Sequence, residues 1–589
     1  IIINRYQKEQ QQLTGATSSV HLFFRMDKNK NSVVTGTLRW NLINFMTGDY
    51  AVSEGKERRK HDFILKRRLP WLRDVVVRLR APEFEEGPQP PLFSGTDLEI
   101  PGCSLDDLSN EFSFLNEAQR KAVQKTMRAK DYTLIQGMPG TGKTSTIAFL
   151  TRLLVAKGKR VLVTAYTHSA VDNIMLKLMD SGMISRDLNS DDAALVRLGQ
   201  GRSCHEDVRR VLHSELAREL DGKMGTGDGY EDNPSASSLR KVISGARVIG
   251  VSALSLPRST LLQSEHFDVV IVDECGQMNQ PATLGASMGA DSFILVGDHK
   301  QLPPLVNSEI AEFGGYGVSM LKRLAEKHSD AIAPLTIQYR MNEDICKVSS
   351  ESFYGGMLHC GNEKVKSQRL ILPGFPSTLP KPMPHFFPWL KMVIDPDRPV
   401  VFVDTDNVRT SLSFCGEKSE PKLHPDDFEA LESKLGGRSG GSIVNRTEAT
   451  LVRYILEGLF SSGLDPNSVG VICPFRAQIS ILEESERILR WKKEGLELST
   501  VDKYQGRDKS AIILSLVRSN HKGNAGRLLQ DERRLNVALT RAKSKMIIVG
   551  SFKTLCNGST ALKPVLNRMK MRNQRATLPE NSIDCYQIP

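Results

Sequence analysis

The chain has 589 residues, room for roughly three or four domains, and its 40% apolar and 25% charged side chains are ordinary for a globular protein. No apolar run approaches a membrane span, Ile1-Ile2-Ile3-Asn4-Arg5 is not a signal peptide, and the chain opens without Met, as a fragment would. A net charge of +11 points to a polyanionic partner, and nine cysteines without a C-x-x-C pair argue against a disulfide framework or zinc site and for a reducing compartment.

Residues 1–55 alternate apolar and polar side chains between turn residues, as in Ser19-Val20-His21-Leu22-Phe23-Phe24-Arg25 and Val33-Val34-Thr35-Gly36-Thr37-Leu38, which predicts a small β-barrel-like module. Residues 56–80 carry ten Lys or Arg against three acids, with Phe63, Leu65, Leu69, Leu72, Val76 and Leu79 at helical spacing around Pro70. A Pro- and Gly-rich loop over 81–102 closes this accessory module, 1–108.

From 109 to 330 strands and helices alternate, as in a parallel α/β domain, with strands expected at 132–136, 160–164, 247–251, 268–272 and 293–297. Asp221–Ser238, rich in Gly, Ser, Asp and Asn, reads as a mobile insertion within about 203–245. A second α/β domain is expected over 331–560, with strands at 400–404, 468–473, 511–517 and 545–550. Six prolines between 373 and 388, then Gly436-Gly437 and Gly440-Gly441, suggest an insertion over about 365–442, and 561–589 reads as a C-terminal tail.

Gly137-Met138-Pro139-Gly140-Thr141-Gly142-Lys143-Thr144 follows an apolar strand and opens a helix, the required context for a G-x-x-x-x-G-K-T phosphate loop. Its backbone N–H groups, with Gly137, Gly140, Thr141 and Gly142, would close around the phosphates of ATP; Lys143 would hold the β/γ oxygens, and Thr144 would ligate Mg²⁺. Phe267–Glu274 is an apolar strand ending in two acids, so Asp273 can reach the metal and Glu274 can polarise the attacking water as general base. Gln301, in Gly297-Asp298-His299-Lys300-Gln301, carries an amide able to sense water and γ-phosphate together. Arg340 and Arg541, in two later motifs, are candidates to stabilise transition-state charge from the second domain.

Together these motifs resemble superfamily 1 helicases over residues 112–552, which implies two RecA-like parallel-sheet domains in tandem. Leu115-Asn116-Glu117-Ala118-Gln119 resembles the adenine-reading motif, placing Gln119 on the base edge; Tyr339 would stack on the adenine, and Arg340 and Arg541 would be arginine fingers. Thr164-Ala165-Tyr166-Thr167-His168-Ser169-Ala170-Val171-Asp172-Asn173 resembles the first-domain strand grip, which implies nucleic-acid contacts at Thr164, Tyr166, Thr167, His168 and Asn173. Cys473-Pro474-Phe475-Arg476-Ala477-Gln478 resembles a Pro-Tyr-Arg-x-Gln element, with Phe475 replacing Tyr, and implies strand contacts at Pro474 and Arg476. Val501–Asp508 resembles the motif coupling strand contact to ATP state, with Thr500 and Lys503 on the strand and Gly506 and Asp508 on the nucleotide.

Within that superfamily the chain resembles the 5′-to-3′ branch, and within it the eukaryotic replication helicase–nucleases of the Dna-two type. The resemblance rests on Gly137-Met138-Pro139-Gly140, the 166–173 and 501–510 stretches, and Gly36–Phe45, which is similar to the segment joining that family's nuclease to its helicase. Cys275-Gly276 departs from the family's Ala-Ser after the two acids. The family's nuclease acids and 4Fe-4S cysteines have no match here, so nuclease activity is not expected of this chain. The resemblance implies an ATP- and Mg²⁺-dependent DNA translocase in flap processing and end resection. Its partners would be single-stranded DNA, 5′-flap or resected DNA and a single-strand-binding protein of the replication protein A kind. It would work away from membranes, in the nucleus and also the mitochondrion. An RNA helicase of the surveillance type, and an ATP-gated clamp that does not move, stay open as alternatives.

Overall fold

A computed structural model of the chain describes residues 32–47, 69–87, 91–94, 102–183, 194–222, 233–262, 265–382, 388–409, 432–435 and 442–585. The first sheet comprises β1 (Tyr132–Gly137), β2 (Val161–Ala165), β3 (Leu195–Arg197), β4 (Val248–Ser252), β5 (Phe267–Asp273), β6 (Ala290–Gly297) and β7 (Ile332–Leu335). Its order is β3-β4-β2-β5-β6-β1-β7, and every pairing is parallel. Around it lie α1 (Ser32–Thr47), α2 (Glu117–Arg128), α3 (Lys143–Ala156), α4 (His168–Asp180) and α5 (Gln280–Ser287). Successive strand residues enter different cores: Leu134, Leu162 and Val270 pack with α1 and α5, whereas Ile135, Val163 and Ile271 pack with α3 and α4. That period of two explains why these strands read as unbroken apolar runs, since both faces are covered.

The second sheet comprises β8 (Val400–Asp404), β9 (Val469–Cys473), β10 (Glu497–Thr500), β11 (Lys509–Ser515), β12 (Ala542–Gly550) and β13 (Arg575–Thr577). Its order is β10-β9-β11-β12-β8-β13, again all parallel. Helices α6 (Glu343–Phe353), α7 (Arg446–Ser461), α8 (Arg476–Glu483) and α9 (Glu532–Leu539) pack around it, with Val401, Val471 and Ile513 in one core and Phe402, Ile472 and Ile512 in the other. The tandem parallel-sheet architecture is therefore the observed one.

Several expectations change. Residues 33–38, expected as extended, are helical in α1, because Leu38, Leu42, Phe45 and Met46 form a helical stripe that joins the first core. Asn41 Nδ2 donates to the Pro281 carbonyl at 3.0 Å, and Gly285 admits that approach, since a Cβ there would lie 2.2 Å from the same atom. The remaining barrel stretch, 19–25, lies outside the described residues, as does the basic run 56–68. Residues 69–77 are helical; Arg73 and Arg80 bond to Phe45 O and Asp131, so these two are used in building the domain, while exposed Arg78 pairs locally with Asp74.

The boundary expected at 330/331 moves, because β7 pairs with β1 of the first sheet. The 365–442 insertion is not one unit, since β8 falls inside it and sits in the second sheet. Nor is 561–585 a loose tail: Leu562, Val565 and Leu566 are buried, β13 extends the sheet, and the Ser582 carbonyl accepts from buried Trp389 at 3.1 Å. The stretch expected as mobile, 221–238, includes a Ser235-capped helix from Ala236, while 223–232 lies outside the described residues.

Candidate active site

The phosphate loop leaves β1 at the carboxyl edge of the first sheet. Gly140 (φ 72°) and Gly142 (φ 77°) are left-handed, a conformation glycine adopts without the steric cost other residues bear. At Gly137 a Cβ would lie 2.0 Å from the Lys143 side chain, which folds back so that Nζ donates to the Gly137 carbonyl at 3.2 Å. Met138 is fully buried among Met341, Ile345 and Tyr354, so this loop is packed into the second domain's core. Gln119 is committed to scaffold bonds: its Oε1 accepts from Asn116 N at 3.1 Å and its Nε2 donates to Thr141 O at 3.3 Å.

Asp273 ends β5, buried, and Glu274 follows in the left-handed region at φ 51°. Burial, then the neighbouring Glu274, pushes the Asp273 carboxyl up to about 7, with Lys143 pulling the other way. Glu274 Oε1 stands 4.0 Å from Lys143 Nζ, and its Oε2 accepts from the Gln277 amide at 3.0 Å. Gly276 passes so near the end of β6 that a Cβ would lie 2.7 Å from Asp298 O, which gives the Cys275-Gly276 departure a packing reason. Gln301 is buried; its Nε2 donates to Asp298 Oδ2 at 2.8 Å, and its Oε1 accepts from Arg541 Nη2 at 3.4 Å.

The second domain brings both arginines to this edge. Arg340 pairs through Nε with Asp508 at 3.0 Å and donates to Thr540 O at 3.3 Å. Its backbone is seated by Gln338, whose Oε1 accepts from Arg340 N at 2.8 Å, and a Cβ on Gly140 would lie 2.7 Å from Arg340 Cβ. Burial would raise Asp508, but Arg340 and Lys543 draw it below the usual carboxylate range. Arg541 is 1% exposed and, among the described residues, bonds to uncharged groups, Val537 O at 2.8 Å, Thr540 Oγ1 at 3.0 Å, Arg507 O at 3.4 Å and Gln301. Burial, then nearby Arg340, holds it down at about 9. Tyr339 is half-exposed at the mouth, its hydroxyl accepting from Asn116 Nδ2 at 3.2 Å, while Gly506 is exposed at φ 79°.

The strand candidates divide. Tyr166, Thr167, Asn173, Arg476 and Lys503 are exposed, and Pro474 and Thr500 are partly so. Thr164 is not available: it is 0% exposed within β2, between β4 and β5, with an unpartnered hydroxyl. His168 is half-buried against the buried Arg197, which pairs with Asp172 at 2.7 Å; burial, then Arg197, lowers its pKa. Asp298, Tyr354 and Asn536 complete the buried polar lining and were not singled out from sequence, although Asp298 stands three residues before Gln301.

Thr144 and Asp273 offer two hard oxygen donors at the loop, the sparse protein set that Mg²⁺ accepts when waters and phosphate oxygens fill the rest. Among the described residues no three His, Cys, Asp or Glu are grouped to hold a metal.

Two family models, each described as an AAA domain, match residues 114–226 with 217–309, and 316–553. The chain is 36% identical over 488 residues to the mouse (Mus musculus) DNA replication ATP-dependent helicase/nuclease DNA2, covering 82% of this chain and 41% of that protein. It is 35% identical to the Saccharomyces cerevisiae protein of that name, over 96% of this chain and 34% of the relative, and 34% identical to the human one, over 94% and 46%. The chain thus spans less than half the length of these relatives. Among solved structures, an arterivirus nonstructural protein 10 helicase aligns over 75% of this chain and 63% of its own at 13% identity and a TM-score of 0.32, too loose a likeness to bear on the site. With two AAA domain matches on its two sheets and these relatives along most of its length, the chain is similar to the helicase part of the DNA2-type helicase/nucleases.

Proposed function

We propose that this chain is the motor part of a replication helicase–nuclease, an ATPase that moves 5′ to 3′ along single-stranded DNA. The observation that carries the reading is the charge of the cleft. Lys143 and Arg541 flank it from opposite domains, and Arg541 is buried with no ion pair among the described residues, Glu274 and Asp508 attracting it only from a distance. A buried guanidinium with no ion pair is costly, and a polyphosphate held on the phosphate loop would relieve that cost.

Lys143 would hold the β/γ oxygens as a point charge, with the loop's N–H groups around them. Thr144 and Asp273 would hold Mg²⁺, which when bound spreads the charge developing on the phosphates. Glu274 would accept the water's proton and Gln301 would orient that water, while Arg340 and Arg541 would stabilise charge on the transferred group. Closure around ATP and opening after release would shift Tyr166, Thr167 and Asn173 relative to Arg476 and Lys503 along a strand. Phosphate-dominated contacts imply weak sequence preference and affinity that falls steeply with salt. Flap or resected DNA, a single-strand-binding protein and the nucleus are the setting this reading carries.

Lys143→Ala should abolish turnover while single-strand binding stays measurable; retained turnover would overturn the site assignment. Strand displacement on tailed duplexes should require a 5′ tail and be stimulated by DNA over RNA. A 3′ requirement would reject the branch, preference for RNA would favour a surveillance helicase, and hydrolysis without displacement would favour a clamp.

A further inference from the structure

Asp298, just past β6, is buried, and its carboxylate is satisfied by hydrogen-bond donors from both domains. Its Oδ2 accepts from Gln301 Nε2 at 2.8 Å and from the Tyr354 hydroxyl at 2.5 Å. Its Oδ1 accepts from Lys300 N at 3.0 Å and Gln136 Nε2 at 3.4 Å. Tyr354, the residue capping α6, is fully buried and belongs to the second domain's core. Asn536, on α9, donates to the Tyr354 oxygen at 2.7 Å and to Lys300 O at 2.8 Å, while its Oδ1 accepts from Ser349 Oγ at 3.0 Å.

The chemistry of these groups leaves one arrangement. A carboxylate only accepts, so Gln301 must turn its NH₂ end to Asp298 and its carbonyl end to Arg541. Tyr354 has one O–H, spent on Asp298, so its oxygen takes the Asn536 amide. Tyr354 of the second domain therefore holds the first-domain acid that holds Gln301, and Asn536 holds Tyr354. Tyr354 packs beside Met138 of the phosphate loop, but among the described residues neither it nor Asn536 hydrogen-bonds to that loop.

Resting on the ATPase reading above, we propose that Tyr354 and Asn536 are positioning residues that make Gln301 competent only while the second domain is docked, so that hydrolysis waits for closure. When the domains part, Asp298 loses its Tyr354 donor and Gln301 loses Arg541. The amide is then free to turn, and the attacking water loses its orientation. A bridge of neutral donors onto a buried acid suits this task, because it is directional and breaks without leaving two opposite charges separated.

The test is a double-mutant cycle on single-stranded-DNA-stimulated ATPase, read by single-turnover kinetics so that slow variants remain measurable. Tyr354→Phe keeps the ring and removes the hydroxyl. It should lower the hydrolysis rate about 10–100-fold with nucleotide affinity within about threefold of wild type. In a Gln301→Ala background the same change should cost less than about twofold, because its target is gone. Asn536→Ala, read in the same cycle, should behave alike. Unchanged turnover, loss carried by affinity, or equal losses in both backgrounds would overturn the positioning role. Loss of the motor reading looks different: Lys143→Ala would then still turn over.

Discussion

Glu448 is wholly buried at the start of α7, where its Oε2 accepts from Val517 N and Ser515 Oγ, each at 2.8 Å. It holds Val517 in the left-handed region at φ 70°, a strained state for a β-branched residue. Burial pushes its carboxyl from an ordinary 4.5 to about 8. Between those values the native state keeps a proton that the unfolded chain releases, so stability falls as pH rises through this window. The effect is on the order of 5 kcal/mol at most. The thermal midpoint should decline from pH 5 to 8, and Glu448→Gln, which is neutral throughout, should flatten that slope. Gly140→Ala should act differently, forcing both a left-handed alanine and a Cβ 2.7 Å from Arg340 Cβ. Turnover should drop at least about tenfold while the fold melts within a few degrees of wild type, as measured by ATPase and thermal scan. The phosphate loop and the paired acids were legible because a ligand fixes their spacing along the chain. Tyr354 and Asn536 were not, since Tyr354's partner Asp298 and Asn536's partner Tyr354 are distant in sequence and only folding brings them together. Thr164 misled for a local reason: strand alternation turned its side chain to a covered face of the sheet.

At the scale of elements, central strands were legible and edges were not. Runs such as Val269–Asp273 are buried on both faces, whereas β3 has three residues and β13 has three, too few for a pattern. The misread helix α1 shows tertiary contact overriding propensity, since β-branched Val33, Val34 and Thr35 open a helix that α5 secures. Removing that contact gives a direct test. Asn41→Ala leaves the Pro281 carbonyl without its buried donor and should destabilise the first domain by about 1–2 kcal/mol in chemical denaturation, with ATPase per folded molecule preserved. The tail beyond 560 was misread for a similar reason: Trp389 and Tyr454 reach it only in three dimensions, Tyr454 donating to Ile583 O at 2.9 Å.

For the whole molecule the decisive feature is that one cleft is built from two sheets. Met138 enters the second domain's core, Tyr339 N donates to Gly140 O at 2.8 Å, and Arg541 reaches Gln301. The exposed pairs of Arg527 with Glu309 and Glu312, at 2.9 and 2.8 Å, add little, because solvent and salt screen them. Hydrolysis should therefore depend on a residue that contributes nothing to the loop itself. The most direct measurement is Arg541→Ala, comparing single-stranded-DNA-stimulated turnover with nucleotide affinity. Turnover should fall about 10³-fold with affinity within about threefold of wild type; retained turnover, or equal losses in turnover and affinity, would contradict a shared catalytic cleft.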